Sequence, residues 1–253
     1  EALVLATSPF GGGGLNPLND IIEVTAKPIC MGMVSPFRAF GKEIAANGCF
    51  PEKFKGRNVL NLYVCLLTKV SAPTTGMLIC EFTASKTGRM IAENQLEMGE
   101  KNSKIMGVVS SSVIGSLIDP LTQTGYKPGL QTLMNKGSFI PVTLCVFRNM
   151  FSGSAIQYPE LFPGGNDHKS AIGGLGFAGS RLIDSASSIA VNVVKSQPQS
   201  PSLSYLEVSK LVYGQLKQNM IPQPLMANAV CGYIYGSVGT AIYLKISDFF
   251  DKP

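Results

Sequence analysis

A single histidine, His168, stands in the 253 residues, and it limits the acid–base chemistry this chain can hold. Imidazole is the usual base for activating a serine or cysteine nucleophile, so any such pair here must use His168. The candidate nucleophile is Cys231, in Ala229-Val230-Cys231-Gly232. A different chemistry is suggested by Gly174-Leu175-Gly176-Phe177-Ala178-Gly179, a formal G-x-G-x-x-G. Glycines so spaced let a backbone come close to a pyrophosphate at a helix N-terminus. Carboxylates gather at Glu93, Glu97 and Glu100, and again at Asp248 and Asp251. Cations gather at Lys53, Lys55 and Arg57, where charge alone would serve for a non-specific phosphate contact.

None of these has the context its chemistry needs. The stretch around Cys231 resembles the G-x-C-G motif of virus-type cysteine proteases, which are similar to chymotrypsin, but Ala229 replaces the first glycine. Those enzymes carry their histidine far upstream and a β-hairpin or more beyond the cysteine. Here His168 sits in a Gly/Pro-rich stretch and only 22 residues follow Cys231. A buried thiol and an exposed loop histidine fit better. GGLGFAGSRLI resembles the dinucleotide fingerprint of short-chain dehydrogenases, which needs a strand before its glycines. The residues before it, Pro163 to Ser170, read as loop, and Val194 and Lys195 stand where an acid should meet the ribose. Glu93, Glu97 and Glu100 read as a solvated segment, and Asp248 and Asp251 as a polar border to Phe249-Phe250. One histidine rules out a His-rich metal site, and the six cysteines include no C-x-x-C. The expectation is a non-enzymatic protein with no catalytic residue, cofactor or metal. Lys53, Lys55 and Arg57 are its candidate RNA contact.

Composition points the same way. The apolar fraction of 45% is ample for a core, while charged residues make up only 15%. A surface with so few charges tends to be covered by a partner or another copy. Net charge is +5, mildly basic. Widely spaced cysteines, no N-x-[ST] sequon and no signal peptide suggest a reducing compartment. No uninterrupted apolar run reaches the ~18 residues of a membrane span, so none is expected. A chain opening at Glu1 fits release from a longer precursor.

These residues are positioned by elements that read mainly as strands. Residues 1–20, with Gly11 to Gly14, read as a flexible arm, and 21–253 as one domain. Residues 21–24 read as a short strand. Ser35-Pro36 opens a helix that Asn47-Gly48 stops. Residues 58–70, NVLNLYVCLLTKV, and 77–84, MLICEFTA, read as two strands joined by the turn Ser71 to Gly76. Residues 85–135 read as short strands and turns, 139–147 (FIPVTLCVF) as a strand, 152–180 as a long loop and 188–194 as a strand. Ser204 and Glu207 have capping-box spacing at the start of a second helix, whose buried stripe is Tyr205, Val208, Val212 and Leu216. Residues 227–235 and 238–246 read as two last strands joined at Gly236-Ser237.

NLYVCLLTKVSAPTTGMLICEF resembles a strand–turn–strand of picorna-like virus coat proteins. VTLCVFRNMFSG is similar to a later strand of theirs, and SVGTAIYLKISDFF to the last. The resemblance implies a mainly β fold, an antiparallel jelly-roll sandwich with two short helices and a Gly-rich N-terminal arm. It implies a coat subunit in the virion, and in host cytoplasm during assembly, that packs with copies of itself and other coat chains around genomic RNA. A movement or matrix-type viral protein binding RNA or membrane is the alternative.

Overall fold

The computed structural model describes residues 17–47, 56, 58–124, 139–165, 167–196, 204–219 and 222–250. Among them there are helices and no strands. We number the helices α1 (Pro17–Met33), α2 (Ser35–Asn47), α3 (Val59–Asn94), α4 (Glu100–Thr124), α5 (Phe139–Gln157), α6 (Lys169–Ser196), α7 (Tyr205–Asn219) and α8 (Pro222–Phe250). A 3₁₀ turn, Pro159–Leu161, follows α5. The jelly-roll expectation, and the coat-protein resemblance built on it, are therefore corrected.

The reason is clearest in α3. Both expected strands and the turn between them lie within one helix. Asn58 caps it from an extended backbone, its side chain accepting from the Leu60 N–H at 2.8 Å. Pro73 lies inside the helix, where it lacks an N–H for the Lys69 carbonyl and its ring crowds that carbonyl, yet the helix continues through it. The expected strand at 139–147 likewise opens α5, with Pro141 in the first turn, where a missing N–H costs nothing. The Gly/Pro-rich loop begins as the end of α5 and finishes as the first half of α6. The last two strands are both part of α8. Of the expected arm, residues 17–20 open α1, as do the strand residues 21–24; residues 1–16 lie outside the described residues.

Two helices do form where the sequence places them. α2 runs Ser35–Asn47. At α7 the Ser204 N–H donates to Glu207 Oε2 at 2.7 Å, and the Glu207 N–H donates back to Ser204 Oγ at 3.4 Å. Val208, Val212 and Leu216 pack against Ala190 and Val193 of α6 and Ile140 and Leu144 of α5. Tyr205, expected in that stripe, is exposed and meets the Phe139 ring edge-on. Donation from Ser204, first by its N–H and then by its hydroxyl, holds the Glu207 carboxyl below its ordinary range. A lowered carboxyl contributes stability above its unfolded pKa of about 4.3, and the contribution is lost as pH falls through the folded value. Hydrogen exchange should therefore show α7 losing protection on acidification before the other helices, and Glu207→Gln should remove that pH dependence.

Helix packing follows chain order. α1 and α2 pack on α3, α3 on α4, α4 on α5, α5 on α6 and α6 on α8; α8 closes back on α1 and α2. The result is a closed ring of six members, one of them the α1–α2 pair broken at Val34, with α7 outside against α6. Neighbours run antiparallel, as the pairs Arg148–Asp184 and Ala155–Gly176 show for α5 and α6. Small residues hold the seams close. A Cβ on Gly173 of α6 would lie 3.3 Å from the Gly236 carbonyl oxygen of α8, so these backbones nearly touch. Several buried serines satisfy themselves within their own helix: Ser112 donates to the Val108 carbonyl at 2.7 Å and Ser116 to the Ser112 carbonyl at 2.6 Å.

The expectation of no membrane span is also corrected. Three helices are long and apolar enough to cross a bilayer, over Leu60–Asn94, Phe139–Gln157 and Pro222–Asp248. They are α3, α5 and α8, alternate members of the ring. Serines, threonines, glycines and cysteines interrupt their apolar runs, and in a helix these residues are compatible with a lipid setting.

Candidate functional site

Many large apolar side chains point outward, while a few charges are buried. Leu60, Phe147, Phe151, Leu175, Met226 and Val230 are all more than half exposed. Arg148, Arg181 and Asp184, by contrast, are at most 2% exposed. Arg148 stands midway along α5; Arg181 and Asp184 are three residues apart on α6, so they share a face.

Asp184 joins the two cations. Its Oδ1 accepts from Arg148 Nη1 at 2.7 Å and its Oδ2 from Arg181 Nη1 at 3.0 Å. Arg148 also donates through Nε and Nη2 to Asn149 Oδ1, at 3.0 and 2.9 Å. Asn149 in turn reaches α4, donating to Ser116 Oγ at 3.4 Å. On the other side, Asn228 of α8 donates to the Arg181 carbonyl at 3.4 Å. The cluster thus ties α4, α5, α6 and α8 together.

One carboxylate between two guanidiniums leaves a net positive charge in the middle of the ring. Arg38 of α2 and Tyr235 of α8 lie within electrostatic reach of Arg181, and Glu81 of α3 within reach of Tyr235. The buried polar atoms with no hydrogen-bond partner among the described residues include the Arg181 Nε–H, a donor, and Asn228 Oδ1, an acceptor. Planar guanidinium donors in a water-poor setting suit a carboxylate or phosphate. Burying such cations is expensive unless a function holds them there.

The residues singled out by sequence fall elsewhere. His168 is exposed at the start of α6, whereas Cys231 is buried in α8 beside Gly41. Cys231 lies level with Arg181, about 20 Å along α6 from His168 at 1.5 Å per residue, so the two do not form a pair. The G-x-G-x-x-G lies inside α6 with helix before it, and its glycines serve helix contacts: a Cβ on Gly176 would lie 2.9 Å from the Phe151 carbonyl of α5. Glu93 pairs with Arg89 at 2.7 Å, and Glu100 with Lys104 at 2.7 Å, which also reaches Glu160 at 2.8 Å. Asp248 is exposed in the last turn of α8 and Asp251 lies outside the described residues. Lys53, Lys55 and Arg57 lie outside them too. Among the described residues, no group of three or more His, Cys, Asp or Glu could hold a metal ion. The signal that could have found the cluster was charge in apolar helices: Arg148 within VTLCVFRNMFSG, and the i,i+3 pair of SRLIDS.

Compared with family models, with curated proteins and with solved structures, the chain matches none.

Proposed function

We propose that this protein spans a membrane as a six-member helix ring and carries an anionic solute across it, with Arg148 and Arg181 as the solute's contacts. The observation that carries this reading is the inverted distribution of polarity: buried guanidiniums inside, large apolar side chains outside. Ionisable groups inside a bilayer usually mark a solute or ion pathway. Helix lengths agree. α5, the shortest ring member, has 19 residues and reaches about 28 Å, close to the hydrocarbon thickness of ~30 Å.

Of the roles expected from sequence, the coat subunit stood on strand blocks that are helices. The membrane-binding alternative is the one the exterior supports.

The test has two stages. The protein should resist alkaline extraction from membranes. Reconstituted in liposomes, it should take up phosphate or small carboxylates in preference to cations and neutral sugars. Losing one charge-assisted hydrogen bond costs about 1.5–3 kcal/mol, so Arg148→Ala or Arg181→Ala should lower uptake by roughly 10- to 100-fold. Release by alkali, or uptake indifferent to both substitutions, would refute the proposal.

A further inference from the structure

We propose that Lys27 is the latch of a gate that closes the ring above the charged cluster. This rests on the transport reading. Lys27 is on α1, and its Nζ donates to the carbonyl of Ile156 on α5. In the ring order α1 and α5 stand opposite one another, so this one side chain spans the middle. The same ammonium lies 5.7 Å from the centre of the Phe82 ring on α3 and 5.1 Å from that of Tyr243 on α8. Four of the six ring members thus converge on one cation.

Its surroundings suit a closure that can also open. Lys27 is 6% exposed, and Phe82 and Ile156 belong to an apolar cluster with Met31, Phe177 and Tyr235. That cluster fills the ring between the Glu97–Glu160 end and Arg148. Ile156 is eight residues beyond Arg148 on α5, about 12 Å along the axis. A solute entering from that end must displace the plug before it meets the guanidiniums. Ile156 is also among the last four residues of α5, whose carbonyls have no helical donor and gather the negative end of the helix dipole. The carbonyl and the two rings offset the loss of water around the ammonium. Each belongs to a different helix, so a single swing of one flexible side chain undoes all three contacts, while α3 and α8 stay packed on α1.

Native cysteines report on this gate without any solute. Cys30 is buried one turn from Lys27, Cys80 is exposed on α3, and Cys231 is buried level with the cluster. The detergent-purified full chain is treated with a charged methanethiosulfonate reagent, and the modified thiols are identified by peptide mass spectrometry. Lys27→Met, which keeps the side-chain length, and Tyr243→Leu, which removes one ring, are compared with the parent. Loss of the charge-assisted bond should raise Cys30 labelling relative to Cys80 by about tenfold or more in Lys27→Met, with a smaller rise in Tyr243→Leu. Cys231, packed against Gly41 in the seam between α2 and α8 and not in the middle of the ring, should stay protected in both. Cys30 remaining protected in both variants overturns the gate. So does a parallel rise at Cys30 and Cys231, which reports loosening of the whole bundle. The transport reading fails separately, through alkaline extraction or arginine-indifferent uptake.

Discussion

Asp184→Ala is expected to destabilise the protein by about 3–5 kcal/mol, because it leaves two buried guanidiniums facing each other with no carboxylate between them. Both are at most 2% exposed, so water cannot take over the role of Asp184 without opening the ring. The damage should be electrostatic, which a second variant can show. In Arg148→Met with Asp184→Leu, one cation and the carboxylate leave together for apolar groups of similar size. Arg181 still loses its carboxylate, so some cost remains, but the repulsion between two facing guanidiniums is gone. Thermal unfolding in detergent should therefore place the double variant well above Asp184→Ala, even though it carries one more substitution. A double variant as unstable as the single one would mean that Asp184 acts through shape and not through charge.

The seam between α6 and α8 gives the second large effect. A Cβ at Gly236 would lie 2.8 Å from the Gly173 carbonyl carbon and 2.8 Å from the Phe177 ring. The first of these neighbours is backbone and cannot turn aside. Gly236→Ala must push the helices apart, at a cost of about 1–3 kcal/mol typical of overpacking, and Gly236→Val more. Gly214 on α7 makes the contrast, since a Cβ there meets nothing within 4 Å. Gly214→Ala should raise stability by up to ~1 kcal/mol through helix propensity alone. Opposite signs for two glycine-to-alanine changes, read as shifts in thermal midpoint, would separate close packing from chain stiffness.

The pattern of failures in the sequence reading has one physical origin. Helices with a polar face, α2 and α7, are legible because water and core impose the 3.6-residue period on them. α3, α5 and α8 have apolar residues on the outward face (Leu60, Phe147, Val230) and on the inward one (Phe82, Ile156, Tyr235). Their periodicity is faint, and a short apolar run does not distinguish strand from helix. Pro73 and Gly76 then read as a turn, although both are tolerated where a helix crosses lipid. The membrane spans escaped notice for a related reason: serines and threonines break the hydropathy of the run, while in the fold their hydroxyls are absorbed by carbonyls one turn back. The site was hidden because its residues come from separate helices. Only the Arg181–Asp184 spacing was local, and it stood beside a glycine motif that drew attention to a different chemistry.

The closed ring also determines the order in which the chain can be assembled. Five seams join elements that follow one another along the sequence, and each can form as a hairpin while synthesis proceeds from the N-terminus. The sixth joins α8 to α1 and α2, the two extremes of the described chain, and closing so long a loop is the slowest kind of contact to make. Until α8 emerges, the nascent protein is an open horseshoe whose free edges are the Met31 side of α1 and the Asn228-facing side of α6. A ribosome stalled at α7 would therefore hold a species with every charged residue of the cluster already made and the wall that encloses them still missing.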